Sequence, residues 1–394
     1  MKKLLVIGAG FLQDFVIRKA KELGYVTLAV DADPNAIGFR HADKYEVINI
    51  VDQEACLAYA RREDIDGVLT AATDYGVLTA SYIAEQMGLP GLNYESAKKI
   101  KNKYSVRKCL FENCVDDTEQ AYEVNKETDI SKLSHKLQYP VMVKPCDGSG
   151  SRGASRVDCA DELAIACEYA MNGSITHRAV VESFINGSEY GVESFVVNGD
   201  IHVLAVMKKW MTEPPYYAEL GHAIPSGLSA ELETKVKNCV KNAILALGIN
   251  SGSVNIDLLI TNNGNIHIVD IGARMGGNLI GSNIVPLGTG VDYMANMIRH
   301  AIGDNTDFTP NNHMCVATRV LAFKGGRVQQ IPDMSLVESK YRVKVYHHME
   351  VGRNVNEYHT NLDGCGYVIA TDVDIENAIQ NAEEARKFIE DNIF

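Results

Sequence analysis

The sequence predicts an α/β chain: an N-terminal doubly wound parallel-sheet domain, a larger mixed body, and a β-rich C-terminal part closed by a helix. Three observations carry this. Apolar runs KLLVI (3–7), YVTLAVDAD (25–33) and VLTAATD (68–74) alternate with helical stretches, the order of a parallel sheet covered on both faces. Two Asn-Gly dipeptides, 198–199 and 263–264, lie between apolar segments and mark hairpins. From about residue 313 strand-like segments return, before the polar helical stretch DIENAIQNAEEARKFIEDNI.

In order along the chain, the first strand meets GAG, and a helix over about 11–23 stops at Gly24. The second strand ends in Asp31, and a helix is expected from Asp74 to Met87. A helical stretch over 94–112 holds Lys98, Lys99, Lys101, Lys103, Arg107 and Lys108. Residues 115–135 read as a loop plus a helix. YPVMVKP (139–145) is a strand stopped by Pro145, CDGSGSRGAS (146–155) a loop, and VVESFI (180–185) a strand. VESFVV-NG-DIHVLAV (192–206) is a hairpin. In 231–248 the apolar positions 232, 236, 239, 240, 243, 244 and 247 follow helical spacing up to Gly248.

The chain has 394 residues, room for two or three domains at roughly 150 residues each. A net charge of -13 argues against non-specific nucleic-acid binding. The nine cysteines form no CxxC pair, so neither a zinc ribbon nor a disulfide framework is expected, and reduced thiols suit a cytoplasmic protein. MKKLLVIGAG resembles a signal peptide, but its short apolar run soon meets Gln13, Asp14 and Arg18 and reads as a strand. No segment approaches the length of a membrane helix.

IDLLITNNGNIHIVD (256–270) raises a chemical question. With Asn263-Gly264 as a two-residue type I′ turn, Leu259 faces Ile268 and Asp257 faces Asp270, with Asn255 opposite Gly272. Opposed like charges repel. A divalent cation, a shared proton or a wet face would each relieve that repulsion.

In VMVKPCDGSGSRGAS, Lys144 ends a strand and Gly148, Ser149, Gly150, Ser151 and Gly153 follow. Small residues let backbone N–H groups approach an oxyanion, although no GK[ST] makes this a Walker A loop, and a surface loop has the same composition. GAGFLQD has Gln13 where a dinucleotide-binding fingerprint needs its third glycine. Asp31 suits a ribose, but a tight strand-to-helix turn explains the fragment equally.

Taken in order, the βα domain, lysine helix, Lys144 loop, VVESFINGSEYGVE, helix, carboxylate hairpin and DIGARMGGN resemble the ATP-grasp ligases. The resemblance covers almost the whole chain. It implies an N-terminal pre-ATP-grasp domain (1–92), a first ATP-grasp subdomain with the lysine helix and glycine-rich loop (93–190), a second with the hairpin (191–312), and a C-terminal β-rich segment with the final helix (313–394). It places Lys103 and Lys144 on the nucleotide phosphates, the 148–153 loop over them, and Glu182, Ser183 and Phe184 at the adenine, largely through backbone. Glu189 falls on the ribose carboxylate, and His222 on a histidine some members place near the nucleotide. Asp257 and Asp270 fall on the magnesium carboxylates, and Arg274 on the arginine for the reacting phosphoryl or acyl group.

The chain departs from the usual Glu-x-Asn ending, having Asp270-Ile271-Gly272, and Asn255 is the expected substitute oxygen ligand. The resemblance implies ATP and Mg2+ as cofactors, with Mn2+ as a substitute, and small carboxylate and amine substrates, with neither nucleic acid nor membrane as partner. Many relatives are homodimers. The expected activity is a carbon–nitrogen ligase working through an acyl phosphate, of the L-amino-acid ligase branch. The alternatives are a purine-pathway or carboxylase-type member, an NAD-dependent oxidoreductase, and a non-catalytic ATP-binding module.

Overall fold

Alternation along the first strand builds the N-terminal sheet. The computed structural model describes residues 1–118, 120–148, 150 and 152–394. Leu4 and Val6 of Lys3–Ile7 enter one core with Val16, Ile17 and Ile298. Leu5 and Ile7 enter another with Leu28, Leu57 and Ile83. Side chains of successive strand residues point to opposite faces, so a continuous apolar run means both faces are covered. Lys44–Val47, Val26–Asp31, Lys3–Ile7 and Gly67–Leu69 lie side by side in that order, all parallel. The following helix starts at Val77 instead of Asp74. The residues freed from it form a loop that reaches the rest of the molecule: Ala71 bridges to Met275, and the Ala72 N–H donates to the Met275 carbonyl.

Residues 115–135 contain a strand, Ala121–Val124, ahead of the short helix Ile130–Ser134. That strand edges an antiparallel sheet with Ala179–Ser183, Val141–Pro145 and Ser155–Val157. Its apolar face, Val141, Val143 and Val181, is closed by Leu163 and Ala170 of the helix Ala160–Asn172.

The largest element is an eight-stranded antiparallel sheet. From one edge it runs Ile266–Gly272, Gly252–Ile260, Ser188–Val197, Asp200–Met211 and Glu219–Ile224. It continues without a break through Cys315–Val320, Gly366–Asp372 and Val343–His347. Ala230–Ala246, N-capped by Ser229, packs Val236 and Val240 on Val192, Val206 and Ile256. The final helix, Ile375–Asp391, lays Ala378 and Ala382 on Ala317 and Val368. All nine cysteines are free, and no helix among the described residues is long and apolar enough to cross a membrane.

The two Asn-Gly turns differ. At 198–199 the expected hairpin turn forms, and it is of type I′: Asp200 pairs with Val197, and Asn198 and Gly199 both have positive φ. At 263–264 the loop is one residue longer. The Gly264 N–H bonds the Thr261 carbonyl, the Thr261 N–H bonds the Asn265 carbonyl, and only Gly264 has positive φ. Leu259 therefore faces His267 and Ile268 faces Leu258, correcting the expected Leu259–Ile268 pair. A bulge between Asp257 and Leu258 then absorbs the extra residue, and Asp257 faces Asp270, with Asn255 opposite Gly272.

Candidate active site

A cleft of ≈ 860 Å³ lies where the N-terminal loop, the small sheet and the broad sheet meet. The broad sheet supplies its floor. Leu259 pairs with Glu189, and Lys209 pairs with His222. Because Lys208 pairs with Tyr190, Glu189 and Lys209 are also neighbours in that row. Directly opposed residues share a face, so charged groups far apart in sequence converge there.

Asp257 and Asp270 both line the cleft. Each carries an ammonium: Lys103 Nζ is 2.5 Å from Asp270 Oδ2, and Lys209 Nζ is 2.8 Å from Asp257 Oδ1. Lys209 also meets Glu219 at 2.8 Å and Glu189 at 3.6 Å, and its side chain is only 1% exposed. Burial holds the Asp257 carboxyl above its usual range against the pull of Lys209. Burial opposes ionisation of Glu219 too, yet Lys209 draws that carboxyl down. The opposed pair offers hard oxygen ligands at one point of the cleft wall, the donor type a magnesium ion takes alongside phosphate oxygens. Asn255 is already engaged: its Oδ1 accepts from Arg274 Nη1, and its amide donates to Glu193.

Lys103 opens the helix Lys103–Glu112, capped by Asn102, and its N–H bonds the Cys146 carbonyl. Arg107, four residues on, is buried and not on a solvated face. It pairs with Glu182, as does Lys144 at 2.7 Å. Burial would raise the Glu182 carboxyl, but the two cations hold it at about 2. Ser183 and Phe184 also line the cleft. Their N–H groups already bond the carbonyls of Gln120 and Pro140. Gly148 and Gly150 line the cleft, whereas Gly153, with positive φ, packs on Pro145. Ser149 and Ser151 lie outside the described residues. Lys101 Nζ sits 4.3 Å over the Tyr75 ring and has no hydrogen-bond partner among the described residues.

Arg274 reaches across to the N-terminal domain. Its Nε and Nη2 donate to Asp74 Oδ1 and Oδ2 at 3.0 and 3.1 Å, a two-pronged contact. Behind it, fully buried Glu193 accepts from the Asn255 amide, the Gly276 N–H and the Tyr293 hydroxyl. Burial pushes this carboxyl up to about 7. His222 is buried and does not line the cleft. Burial lowers its pKa to about 4, and its Nδ1 has no hydrogen-bond partner among the described residues.

Elsewhere, Asp116, Asp117 and His267 present ligand atoms within 4.8 Å of one another. Asp116 already accepts from the Ile268 N–H and from Thr118, so it serves the hairpin as a structural anchor. In the first βα turn, Gln13 folds over the glycines and donates to the Ala71 carbonyl. A Cβ on Gly10 would stand 2.9 Å from Gln13 Oε1. Asp31 accepts from the Ala9 and Asp33 N–H groups. The turn is filled by its own side chains.

The sequence reading missed Asp74, Lys209, Glu193 and Glu219. A lone acid after a strand, or in a hairpin, carries no spacing signal. Only the register across four strands brings Lys209 to its carboxylates.

Residues 137–282 match the ATP-grasp domain, and residues 319–390 match the L-amino acid ligase C-terminal domain 2. The chain carries an ATP-grasp domain. It is 25% identical over 368 residues to the uncharacterized protein y4rH of Sinorhizobium fredii, covering 90% of this chain and 75% of that one. It is 25% identical over 323 residues to carnosine synthase 1 of Mus musculus, covering 74% of this chain but only 39% of the mouse protein. Among solved structures, the L-amino acid ligase from Bacillus licheniformis superposes with a TM-score of 0.85 at 23% identity, over 100% of this chain and 98% of that one. This last likeness establishes the fold. ATP binding is a property of the family, and magnesium binding is typical of it.

Proposed function

We propose that this ATP-grasp protein is a carboxylate–amine ligase that activates a small carboxylate as its acyl phosphate and joins it to an amine, in the manner of an L-amino-acid ligase. The observation that carries the reading is the convergence of Asp257, Asp270, Lys103, Lys144 and Arg274 on one cleft. A carboxylate oxygen attacks the γ-phosphorus of ATP, and the bond to the ADP oxygen breaks. The amine nitrogen then attacks the acyl carbon, phosphate leaves, and the nitrogen gives up a proton. The first step brings two anions together.

Lys103 and Lys144 lie where they would hold phosphate oxygens in line. Asp257 and Asp270 would hold magnesium, whose chemistry when bound is to screen the phosphate charge. The Arg274 fork suits two oxygens of a carboxylate or of the acyl phosphate. Glu189 would hold the ribose hydroxyls, and Glu182, Ser183 and Phe184, which line the same cleft, would border the adenine. The 148–153 loop would shut water out of the acyl phosphate.

Two features support amino-acid substrates over a phosphoribosyl one. The N-terminal domain lines the cleft with Leu12, Ala72, Thr73, Asp74 and Tyr75, contributing no basic residue among those described. The match of residues 319–390 to an L-amino acid ligase C-terminal domain points the same way. The test is ADP release in a coupled assay against amino acids and small carboxylates, singly and in pairs. Release that needs a carboxylate and an amine together supports the reading. Release with formate or bicarbonate plus a phosphoribosyl amine, or no release with any pair, overturns it.

A further inference from the structure

Each of the opposed aspartates has a resident ammonium, and the two ammoniums are not equivalent. Lys103 comes from the first subdomain, at a helix start, with 15% of its side chain exposed. Lys209 stands on the same sheet as Asp257, two strands away, with 1% exposed. It touches Asp257, Glu219 and Glu189. Three carboxylates around one ammonium leave a surplus of two negative charges, the charge of one divalent cation. Lys209 is enclosed: its side chain is 1% exposed and its Nζ is held by three carboxylates of the same sheet. Glu219, its second partner, is fixed on the other side by the Asn278 amide.

We infer that Lys209 is a positioning residue that serves as the built-in counter-ion of Asp257, competing with free divalent metal so that the ion enters together with the nucleotide. Without nucleotide, a metal approaching Asp257 meets an ammonium that cannot leave, and like charges close together in a buried site repel strongly. A triphosphate supplies further oxygen ligands and negative charge, which tips the balance towards the metal. Lys209 then keeps Glu219 and Glu189, so the ribose carboxylate and the far end of the cleft stay aligned while Asp257 turns to the ion. The inference rests on the reading of Asp257 as a metal ligand.

The test uses Mn2+ as probe, followed by electron paramagnetic resonance, with and without ADP, on the full chain. The wild type should bind free Mn2+ weakly and take it up strongly when ADP is present. Lys209→Met should bind free Mn2+ about tenfold more tightly or better, and Lys209→Arg should return to wild-type behaviour. Glu219→Gln takes one carboxylate from Lys209, concentrating it on Asp257, and should weaken free Mn2+ binding. Unchanged or weaker binding by folded Lys209→Met overturns the inference, and so does tighter binding by Glu219→Gln. If Lys209→Met does not fold, Glu219→Gln decides alone. Asp257→Asn separates the two levels. If Mn·ADP uptake survives that change, the metal reading itself falls. If uptake is lost while Lys209→Met behaves as wild type, only the role of Lys209 falls.

Discussion

The Asp74 carboxylate lies directly over Gly272: a Cβ built on that glycine would stand 2.9 Å from Asp74 Oδ1 and 3.2 Å from Arg274 Cζ. The glycine that replaces the usual asparagine ligand is therefore required by space, because the fork from Arg274 to Asp74 passes where a side chain would be. Gly272→Asn should not gain metal affinity. It should separate Asp74 from Arg274, lowering both the thermal midpoint and turnover. Calorimetry with Mg·ADP and a melting curve check this; tighter metal binding at an unchanged midpoint would contradict it.

Arg274 donates to both oxygens of Asp74 and to Asn255 Oδ1. Arg274→Lys keeps the charge and loses the fork, so turnover should collapse while Mg·ADP still binds. Asp74→Asn should cost about 1.5–3 kcal/mol, the range for hydrogen bonds to charged groups, read by urea unfolding.

Lys144→Ala and Asp270→Ala should each abolish substrate-dependent ADP release. Full turnover by purified Asp270→Ala would refute its assignment to the metal.

Glu182 compensates two nearly buried cations, Arg107 and Lys144, whose side chains are 7% and 16% exposed. Glu182→Ala should destabilise the fold by roughly 3–5 kcal/mol, the cost of stranding buried charge. Equilibrium denaturation followed by circular dichroism measures the loss.

Glu193 gives a pH signature. Its carboxyl is raised from 4.5 to about 7 by burial, so the folded chain keeps a proton that the unfolded chain releases. Its contribution is full below pH 4.5 and is lost as pH rises towards 7. Glu193→Gln should flatten that part of the stability profile, and it should lower stability overall because three donors face this site. Urea midpoints at about pH 5 and about pH 8 test the slope.

Much of the architecture was legible because its signals are local. Apolar runs gave the parallel sheet, and spacing gave the helix Ala230–Ala246. Asn198-Gly199 gave a true two-residue turn. Asn263-Gly264 misled by one residue: Thr261 and Asn265 bond each other across a longer loop, which the dipeptide does not announce. Asp257 and Asp270 were nevertheless paired correctly, because the bulge restores what the loop displaces. Lys209 and Asp74 were illegible for a different reason. Asp257 lies 48 positions from Lys209 and Arg274 lies 200 from Asp74, and only strand order and domain docking bring them together.

The longer turn and the bulge form a matched pair, with a genetic consequence. Ile268 already faces Leu258, so losing the Val269 codon would straighten the outer strand and still leave its acid against Asp257. Losing one codon from the exposed tip at 262–264 would shorten the loop while Thr261 stayed against Asn265. Either loss should leave a working protein, whereas one codon gained beside Val269 would swing the acid to the opposite side of the sheet, an asymmetry between deletion and insertion that no inspection of the cleft would suggest.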